Sequence, residues 1–179
     1  MKPFITNASE HGKFILRFQC EGKLREQIEE TLLGSSIDSY AMPLTHSFQS
    51  AWIFRLYFDN GYCCEFSSSS TELIGWQEVG SLNIRFIKNE DEQEESQNLL
   101  PKTYLDTFQV NNIEKLVYND NDVYSECGLV FRDDQGKEII IAAGISPGSV
   151  SVCASFTTGP FQPEFPVSDY QRISVTAEL

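Results

Sequence analysis

Carboxylates are the most abundant side chains of this chain that can take part in acid–base or ionic chemistry. They outnumber Lys and Arg by two to one. The sequence holds 26 Asp and Glu against 13 Lys and Arg, a formal net charge of -13 at pH 7. Such a charge repels nucleic-acid phosphates and anionic lipid, and it steers a cationic partner by long-range attraction. We therefore expect a basic protein partner, with neither nucleic acid nor a membrane surface.

The acidic surplus is spread over the chain beyond residue 30, with one concentrated run and two acidic turns. Residues 89–98 carry five acids and no base, which predicts an exposed loop because the run repels itself and has no apolar face to bury. Clusters of Asn and Asp at 119–122 and of Asp, Gln and Gly at 133–136 predict turns. The candidate partner-binding residues are accordingly Glu90, Asp91, Glu92, Glu94, Glu95, Asp120, Asp122, Asp133 and Asp134.

One segment matches the letters of a hydrolase nucleophile motif but fails on mechanism. Gly144-Ile-Ser146-Pro-Gly148 follows an apolar strand, as a nucleophile elbow does. The residue after the nucleophile must donate its backbone N–H to the oxyanion, and Pro147 has none. The following segment also reads as a strand, whereas the elbow requires a helix. The segment therefore predicts a turn between strands, and the sequence predicts no catalytic residue.

The sequence contains no recognisable motif for binding a metal or a cofactor. Asp120, Asp122 and Glu126 are calcium-type ligands, but Ser125 occupies the position where a calcium loop needs glycine. His46 stands without a zinc-binding cluster, and neither a dinucleotide-binding nor a P-loop glycine pattern is present. We expect no metal and no cofactor.

The cysteines and the termini indicate a reducing compartment. Five cysteines form an odd set without CxxC spacing, and the adjacent Cys63 and Cys64 point to opposite faces of a strand. The first ten residues lack the apolar stretch of a secretory signal, and the longest apolar run, 139–143, is far too short to cross a bilayer. We expect buried, reduced thiols in a cytoplasmic protein.

Local patterns then place the elements that must position these carboxylates. In the first half they predict a strand at 13–19, an amphipathic helix at 23–33 with Leu24, Ile28 and Leu32 on one face, a loop over most of 35–50, and a strand at 81–88. In the second half they predict strands at 113–118, 124–132, 137–143 and 149–156, followed by an extended tail rich in Pro and Phe.

The strongest local signal is a β-hairpin formed by 52–58 and 62–66 around Asp59-Asn-Gly61. A three-residue loop pairs Phe54 with Phe66, Leu56 with Cys64, and Arg55 with Glu65. This register separates apolar from charged faces. A two-residue loop would instead set Leu56 opposite Glu65, so we expect the first register.

Together these elements predict an α+β protein that is predominantly antiparallel β, with two β-meander halves and one amphipathic helix near the N-terminus. We expect a strand-helix and hairpin half at 1–88, an acidic loop or linker at 89–101, and a second half with the tail at 102–179. The parts form one compact domain or two packed lobes.

Three functional hypotheses fit this composition. The first is an acidic binding protein, of the immunity or antitoxin type, that neutralises a basic toxin by direct contact. The second is a small hydrolase or carbohydrate-active protein whose carboxylates converge across strands; a pocket holding two carboxylates, one with a raised pKa, would support it. The third is a structural subunit that oligomerises through aromatic strand surfaces.

Overall fold

The computed structural model describes residues 12–73, 78–91 and 99–176. In chain order its strands are β1 (Phe14–Leu16), β2 (Gln19–Glu21), β3 (Ser36–Ala41), β4 (Phe54–Phe58), β5 (Tyr62–Glu72), β6 (Glu78–Lys88), β7 (Lys102–Gln109), β8 (Asn112–Asn119), β9 (Val123–Arg132), β10 (Glu138–Ala143), β11 (Val150–Cys153) and β12 (Tyr170–Ser174). A short helix, α1 (Ile28–Leu32), follows a 3-10 turn at Arg25–Gln27. Further 3-10 turns lie at Asn89–Asp91 and Val167–Asp169.

The strands form two mostly antiparallel sheets. The first has the order β2-β6-β5-β4-β3-β7, and the second has the order β11-β10-β9-β8-β12 with β1 paired to β9. Only the β1/β9 and β2/β6 pairs are parallel among the described strands. Each sheet contains four consecutive antiparallel strands, β3 to β6 and β8 to β11.

The two sheets pack face to face around one apolar core. Phe131 of the second sheet makes edge-on ring contacts with Phe58 and Phe66 of the first, with ring centroids 6.2 and 6.3 Å apart. Ile28 and Leu32 of α1 are fully buried in the same cluster, so the helix covers part of this core. Alternation along the strands sends these apolar side chains inward, as a two-layer sandwich requires.

The predicted hairpin register is confirmed. Phe54 pairs with Phe66, Leu56 with Cys64, and Arg55 with Glu65. Gly61 adopts a φ of 83°, which an L side chain rarely adopts. An ion pair with an N–O distance of 2.7 Å joins Arg55 and Glu65, and both side chains are buried.

The predicted helix is shorter than its apolar spacing suggests. Ile28 and Leu32 are buried as expected, but Leu24 is 66% exposed, so its placement on the buried face is wrong. Leu24 has φ −78° and ψ 151°, an extended conformation that precedes the first turn. Because it lies outside the helix, the four-residue period does not apply to it.

Two other predictions from local pattern need correction. The loop expected over most of 35–50 contains β3, whose residues pair with both β4 and β7. The strand expected at 13–19 divides into β1 and β2, which pair with different sheets. The chain therefore crosses between the sheets at Arg17–Phe18, a change of partner that a single apolar pattern does not reveal.

The prediction of two meander halves is also too simple, because strands from each half of the chain pair with the sheet of the other half. β7 begins beyond the acidic segment, yet it pairs with β3 in the first sheet, and β1 precedes the first sheet yet belongs to the second. The tail covers the outer face of the second sheet, where Phe161 and Phe165 pack against a cluster that includes Leu116 and Val130.

Candidate functional site

Two of the candidate aspartates build turns. Asp120 Oδ1 accepts hydrogen bonds from the backbone N–H groups of Asp122 and Val123, both at 2.8 Å, and its Oδ2 accepts one from the Tyr118 hydroxyl at 3.1 Å. Burial opposes ionisation, but these hydrogen bonds outweigh it and hold the pKa of Asp120 below its usual value. This is the ordinary chemistry of an aspartate turn, not that of a cation site.

Asp133 plays the same part in the next turn, where its Oδ1 accepts from the N–H groups of Gln135 and Lys137 at 2.9 and 2.7 Å. Asp122 and Asp134, by contrast, are exposed and form no ion pair within the described residues. The two turns lie at opposite ends of the ten-residue strand β9, so about 30 Å separates them. The candidate aspartates therefore do not form one patch.

Of the five acids in the run 89–98, two lie among the described residues. Glu90 and Asp91 are exposed in a 3-10 turn, and Glu90 lies 3.5 Å from the Lys88 ammonium. Glu92, Glu94 and Glu95 lie outside the described residues.

A different set of acids lies around a small apolar cluster at one end of the sandwich. Buried Leu16, Leu73, Val79 and Val123 form this cluster, and Phe14 and Phe165 pack against it. Glu72 pairs with Glu78 across β5 and β6, and these two acids, Asp122 and Glu164 are each next in the chain to a member of the cluster. We call these four acids the acidic end; the cations Lys13 and Arg17 are likewise next in the chain to members of the cluster.

Aromatic contacts tie the acidic end to the Asp120 turn. The Phe165 ring stacks on Tyr118 with centroids 3.7 Å apart, and Tyr118 donates its hydroxyl hydrogen to Asp120. A cation also lies there: the Lys13 ammonium donates to Asn119 Oδ1 at 2.6 Å and to the Asp120 carbonyl.

The acidic end contains a cleft of about 160 Å³. It lies between β5, β6, the β10–β11 turn and the tail, and it is lined by Ser68, Ser70, Glu78, Gly80, Gly144, Ile145, Pro147, Gly148 and Glu164. The segment with the nucleophile-like letters thus forms part of the wall, although it is the turn that we predicted: the Ser149 N–H donates to the Ser146 carbonyl at 3.0 Å.

Glu164 is the central group of the cleft. Its Oε2 accepts a hydrogen bond from the Gly80 N–H at 2.6 Å, while no hydrogen bond to its Oε1 forms within the described chain. Burial raises the pKa of Glu164 to about 7; the Gly80 N–H opposes this shift and the negative charge of Glu78 adds to it. No Lys or Arg within the described ranges contributes to the pKa of this carboxyl.

Backbone geometry keeps Glu164 in place. The backbone N–H of Glu164 donates to the Ala143 carbonyl at 2.9 Å, next to a bridge between Gly144 and Pro163. A Cβ on Gly80 would lie 2.6 Å from Glu164 Oε2 and 2.7 Å from Ala143 Cβ. Glycine at position 80 is therefore required for the carboxylate to reach the backbone of β6.

A second buried glutamate has the opposite environment. Glu126 is 1% exposed, and its two oxygens accept from Arg25, from Lys115 at 2.8 Å, from the Tyr124 hydroxyl at 3.2 Å and from the Phe18 N–H at 3.1 Å. Burial alone would raise the pKa of Glu126, but the hydrogen bonds and charges of Arg25 and Lys115 outweigh it and lower the pKa. This cluster joins the segment before α1 to the second sheet.

The remaining candidates for chemistry are structural in this arrangement. His46 Nδ1 accepts a long 3.4 Å hydrogen bond from the Trp52 N–H in a loop. All five cysteines are free, three of them buried, and burial raises the pKa of Cys20 and of Cys127 to about 12. Across the described ranges, no group of three or more His, Cys, Asp or Glu could hold a metal, and no helix is long and apolar enough to span a membrane.

Sequence reasoning missed Glu164 and Glu78 because their elements meet only in the folded chain: the Gly80–Glu164 hydrogen bond joins residues 84 positions apart. The one local signal was Glu164 itself, the single charged residue of the Pro- and Phe-rich tail segment 160–166. Searches against protein-family models, curated proteins and solved structures found no match to this chain.

Proposed function

We propose that this protein binds a basic protein partner through the acidic end. The most concrete form of the proposal is an immunity or antitoxin-like protein that neutralises a basic toxin, such as a nuclease, in the cytoplasm. The observation that carries it is that the carboxylates Glu78 and Glu164 line one cleft of the acidic end, with Glu72 paired to Glu78 across the neighbouring strand.

The distribution of cations supports this proposal. Many of the described Arg and Lys side chains are engaged within the chain: Arg25 and Lys115 contact Glu126, Arg55 contacts Glu65, and Arg132 and Arg172 contact Glu138. The exposed acids Glu72, Glu78 and Asp122 of the acidic end form no such ion pair within the described residues. Such a surface raises the rate of encounter with a cationic protein, and salt weakens the effect.

Affinity capture from the native organism at low and high salt, with mass spectrometry of the bound proteins, tests the proposal. We expect one specific basic protein to be retained at low salt and released at high salt. The triple variant E72Q/E78Q/D122N should retain it at least tenfold less. A control of equal charge change, E26Q/E30Q/D106N, alters three exposed acids elsewhere and should retain it normally. Failure of the wild-type protein to retain any specific basic protein would contradict the proposal.

A specific observation also favours a second candidate, the small hydrolase. Glu164 has a pKa raised to about 7 and lies in the same cleft as Glu78, which is the pairing of a general acid with a carboxylate. Assay of chromogenic glycosides and esters between pH 5 and 8 tests it, with E164Q as the inactive variant. Turnover that E164Q leaves unchanged, or no turnover of any substrate, would count against this candidate.

A further inference from the structure

We infer that the cleft at the acidic end receives a single arginine side chain of the partner, whose guanidinium lies between Glu164 and Glu78. The inference rests on the proposed binding function and names the site and the ligand group for it. The inference thereby specifies one contact within the acidic surface that the proposed function uses.

The hydrogen-bonding character of the cleft walls supports a donor-rich ligand. The Ser68 hydroxyl donates to the Ser149 carbonyl at 2.7 Å, and the Ser70 hydroxyl donates to Glu78 Oε2 at 2.9 Å. The Gly80 N–H is likewise occupied by Glu164. Since these donors are already used, the side chains of the wall present acceptors to a ligand.

A guanidinium matches this arrangement better than a neutral ligand does. It carries five N–H donors and no acceptor, and it remains charged at all physiological pH values. Glu164 Oε1 and Glu78 Oε1 have no hydrogen-bond partner within the described residues, and the two serine oxygens keep free lone pairs. An arginine therefore satisfies several acceptors at once, with charge assistance from both carboxylates.

The size of the cleft limits what can enter. Its volume of about 160 Å³ is well below the roughly 300–1,000 Å³ of typical small-molecule sites. No aromatic residue lines it among the described residues. Glycine at 80 and 144 maintains its shape, because a Cβ at Gly144 would lie 2.7 Å from Ser149 Oγ. A single long side chain fits these dimensions.

Entry of the cation is coupled to proton release. The titratable groups that face Glu164 are Glu78 of β6, the Cys127 thiol of β9 and the Tyr170 hydroxyl of β12. Burial raises the pKa of both Cys127 and Tyr170, so neither ionises near neutrality. A guanidinium beside Glu164 favours its charged form, and binding below pH 7 therefore displaces the Glu164 proton.

Titration with the blocked tripeptide Gly-Arg-Gly, followed by NMR, tests this inference. The control ligand is Gly-citrulline-Gly, which has nearly the same shape but no charge. We expect saturable shifts of the Gly80, Gly144 and Gly148 amide signals with the arginine peptide and none with citrulline. Affinity should be about tenfold higher at pH 8 than at pH 6, because each pH unit below the pKa changes proton competition by up to tenfold.

Two variants make the result specific. E164Q keeps an acceptor for the Gly80 N–H and should weaken binding at least tenfold at pH 8, and E78Q should weaken it less. E30Q, which neutralises an exposed acid on α1, should bind like the wild type. Each spectrum also reports whether the variant is folded. Equal shifts with citrulline, or unchanged binding in folded E164Q, would overturn the inference.

Capture of the whole partner separates this inference from the proposed function. Retention of a basic protein that E164Q leaves unchanged would contradict the arginine site and leave the proposed function standing. Binding of the arginine peptide without retention of any basic protein would contradict the proposed function alone.

Discussion

Glu126 and Glu164 are both withdrawn from water, yet their surroundings differ in one respect. Glu126 lies on β9 between Arg25 and Lys115, and these cations lower its pKa. Glu164 lies in the tail against Gly80 and near Glu78, and its pKa is raised to about 7. The described residues supply cations for the first carboxylate and none for the second.

This difference separates a structural carboxylate from a candidate binding group. Withdrawing a charge from water is costly unless an opposite charge compensates it. Glu126 is compensated within the chain, so its contacts hold β9, β8 and the segment before α1 together. Glu164 has no compensating cation among the described residues, so its ionisation is sensitive to pH and to a cationic ligand.

The largest expected effect is the loss of the Glu126 charge. E126Q leaves Arg25 and Lys115 facing a neutral amide in a buried place, and we expect it to lower the free energy of unfolding by about 3–5 kcal/mol. E164Q should change it by less than about 1 kcal/mol at pH 7, since it removes an uncompensated charge. Urea unfolding of both variants at pH 7 measures the difference. Equal destabilisation would mean that the two carboxylates have the same role.

The next effect concerns the backbone that holds Glu164. G80A places a Cβ 2.6 Å from Glu164 Oε2 and 2.7 Å from Ala143 Cβ, so we expect a loss of about 1–3 kcal/mol. The double variant G80A/E164A removes the first of these conflicts and should recover part of the loss. Urea unfolding of the single and double variants provides the values. A G80A protein as stable as the wild type would show that Glu164 does not require this contact.

A smaller effect is the pH dependence that Glu164 imposes on stability. Because its pKa rises from 4.5 to about 7 on folding, the folded protein holds more protons than the unfolded chain between these values. The Glu164 contribution therefore falls as pH rises from about 4.5 to 7. After allowance for solvent screening of this partly exposed group, we expect a change on the order of 1 kcal/mol.

Stability measured at pH 5, 6, 7 and 8 for wild type and E164Q isolates this contribution. Subtracting the E164Q curve from that of the wild type should leave a curve that falls through this window and is flat above pH 8. A difference curve that rises over the same window would contradict the environment described for Glu164.

An effect of similar size distinguishes the two aspartates of the β8–β9 turn. D120A removes acceptors of two backbone N–H groups and of the Tyr118 hydroxyl, and we expect it to cost about 1–2 kcal/mol. D122A should cost less than about 0.5 kcal/mol because that side chain is exposed. Thermal unfolding provides the comparison. A larger effect for D122A than for D120A would reverse the assignment of structural and exposed roles.

The parts of the fold that could be predicted are those in which neighbouring residues carry the information. The hairpin register followed from Phe54, Arg55 and Leu56, because only one pairing separates apolar from charged faces. The second-half strands from β8 to β11 were also recognisable, since apolar runs alternate there with Asp, Asn and Gly turns. The predicted placement of Leu24 on the buried face was wrong because the four-residue helical spacing was extended to a residue that precedes the first turn of the helix.

The site could not be predicted in this way because its residues come from distant elements. Glu164 approaches Gly80 only after the tail crosses the outer face of the second sheet, and a contact of this kind leaves no local periodicity. The composition contains more acids than bases, but it does not indicate which acids lack a nearby cation after folding. The run 89–98 has the highest density of acids in the sequence, whereas Glu164 stands alone between Pro163 and Phe165.

The central claim is that Glu164 carries a carboxylate that the chain leaves uncompensated and that an external cation can compensate. NMR titration of the ¹³C-labelled glutamate side chains, with E164Q used to assign the signal, measures this directly. We expect Glu164 to titrate near pH 7 in the free protein and at least one pH unit lower with saturating arginine peptide. An ordinary value near 4.5 in the free protein, or a value near 7 that the peptide leaves unchanged, would contradict the claim.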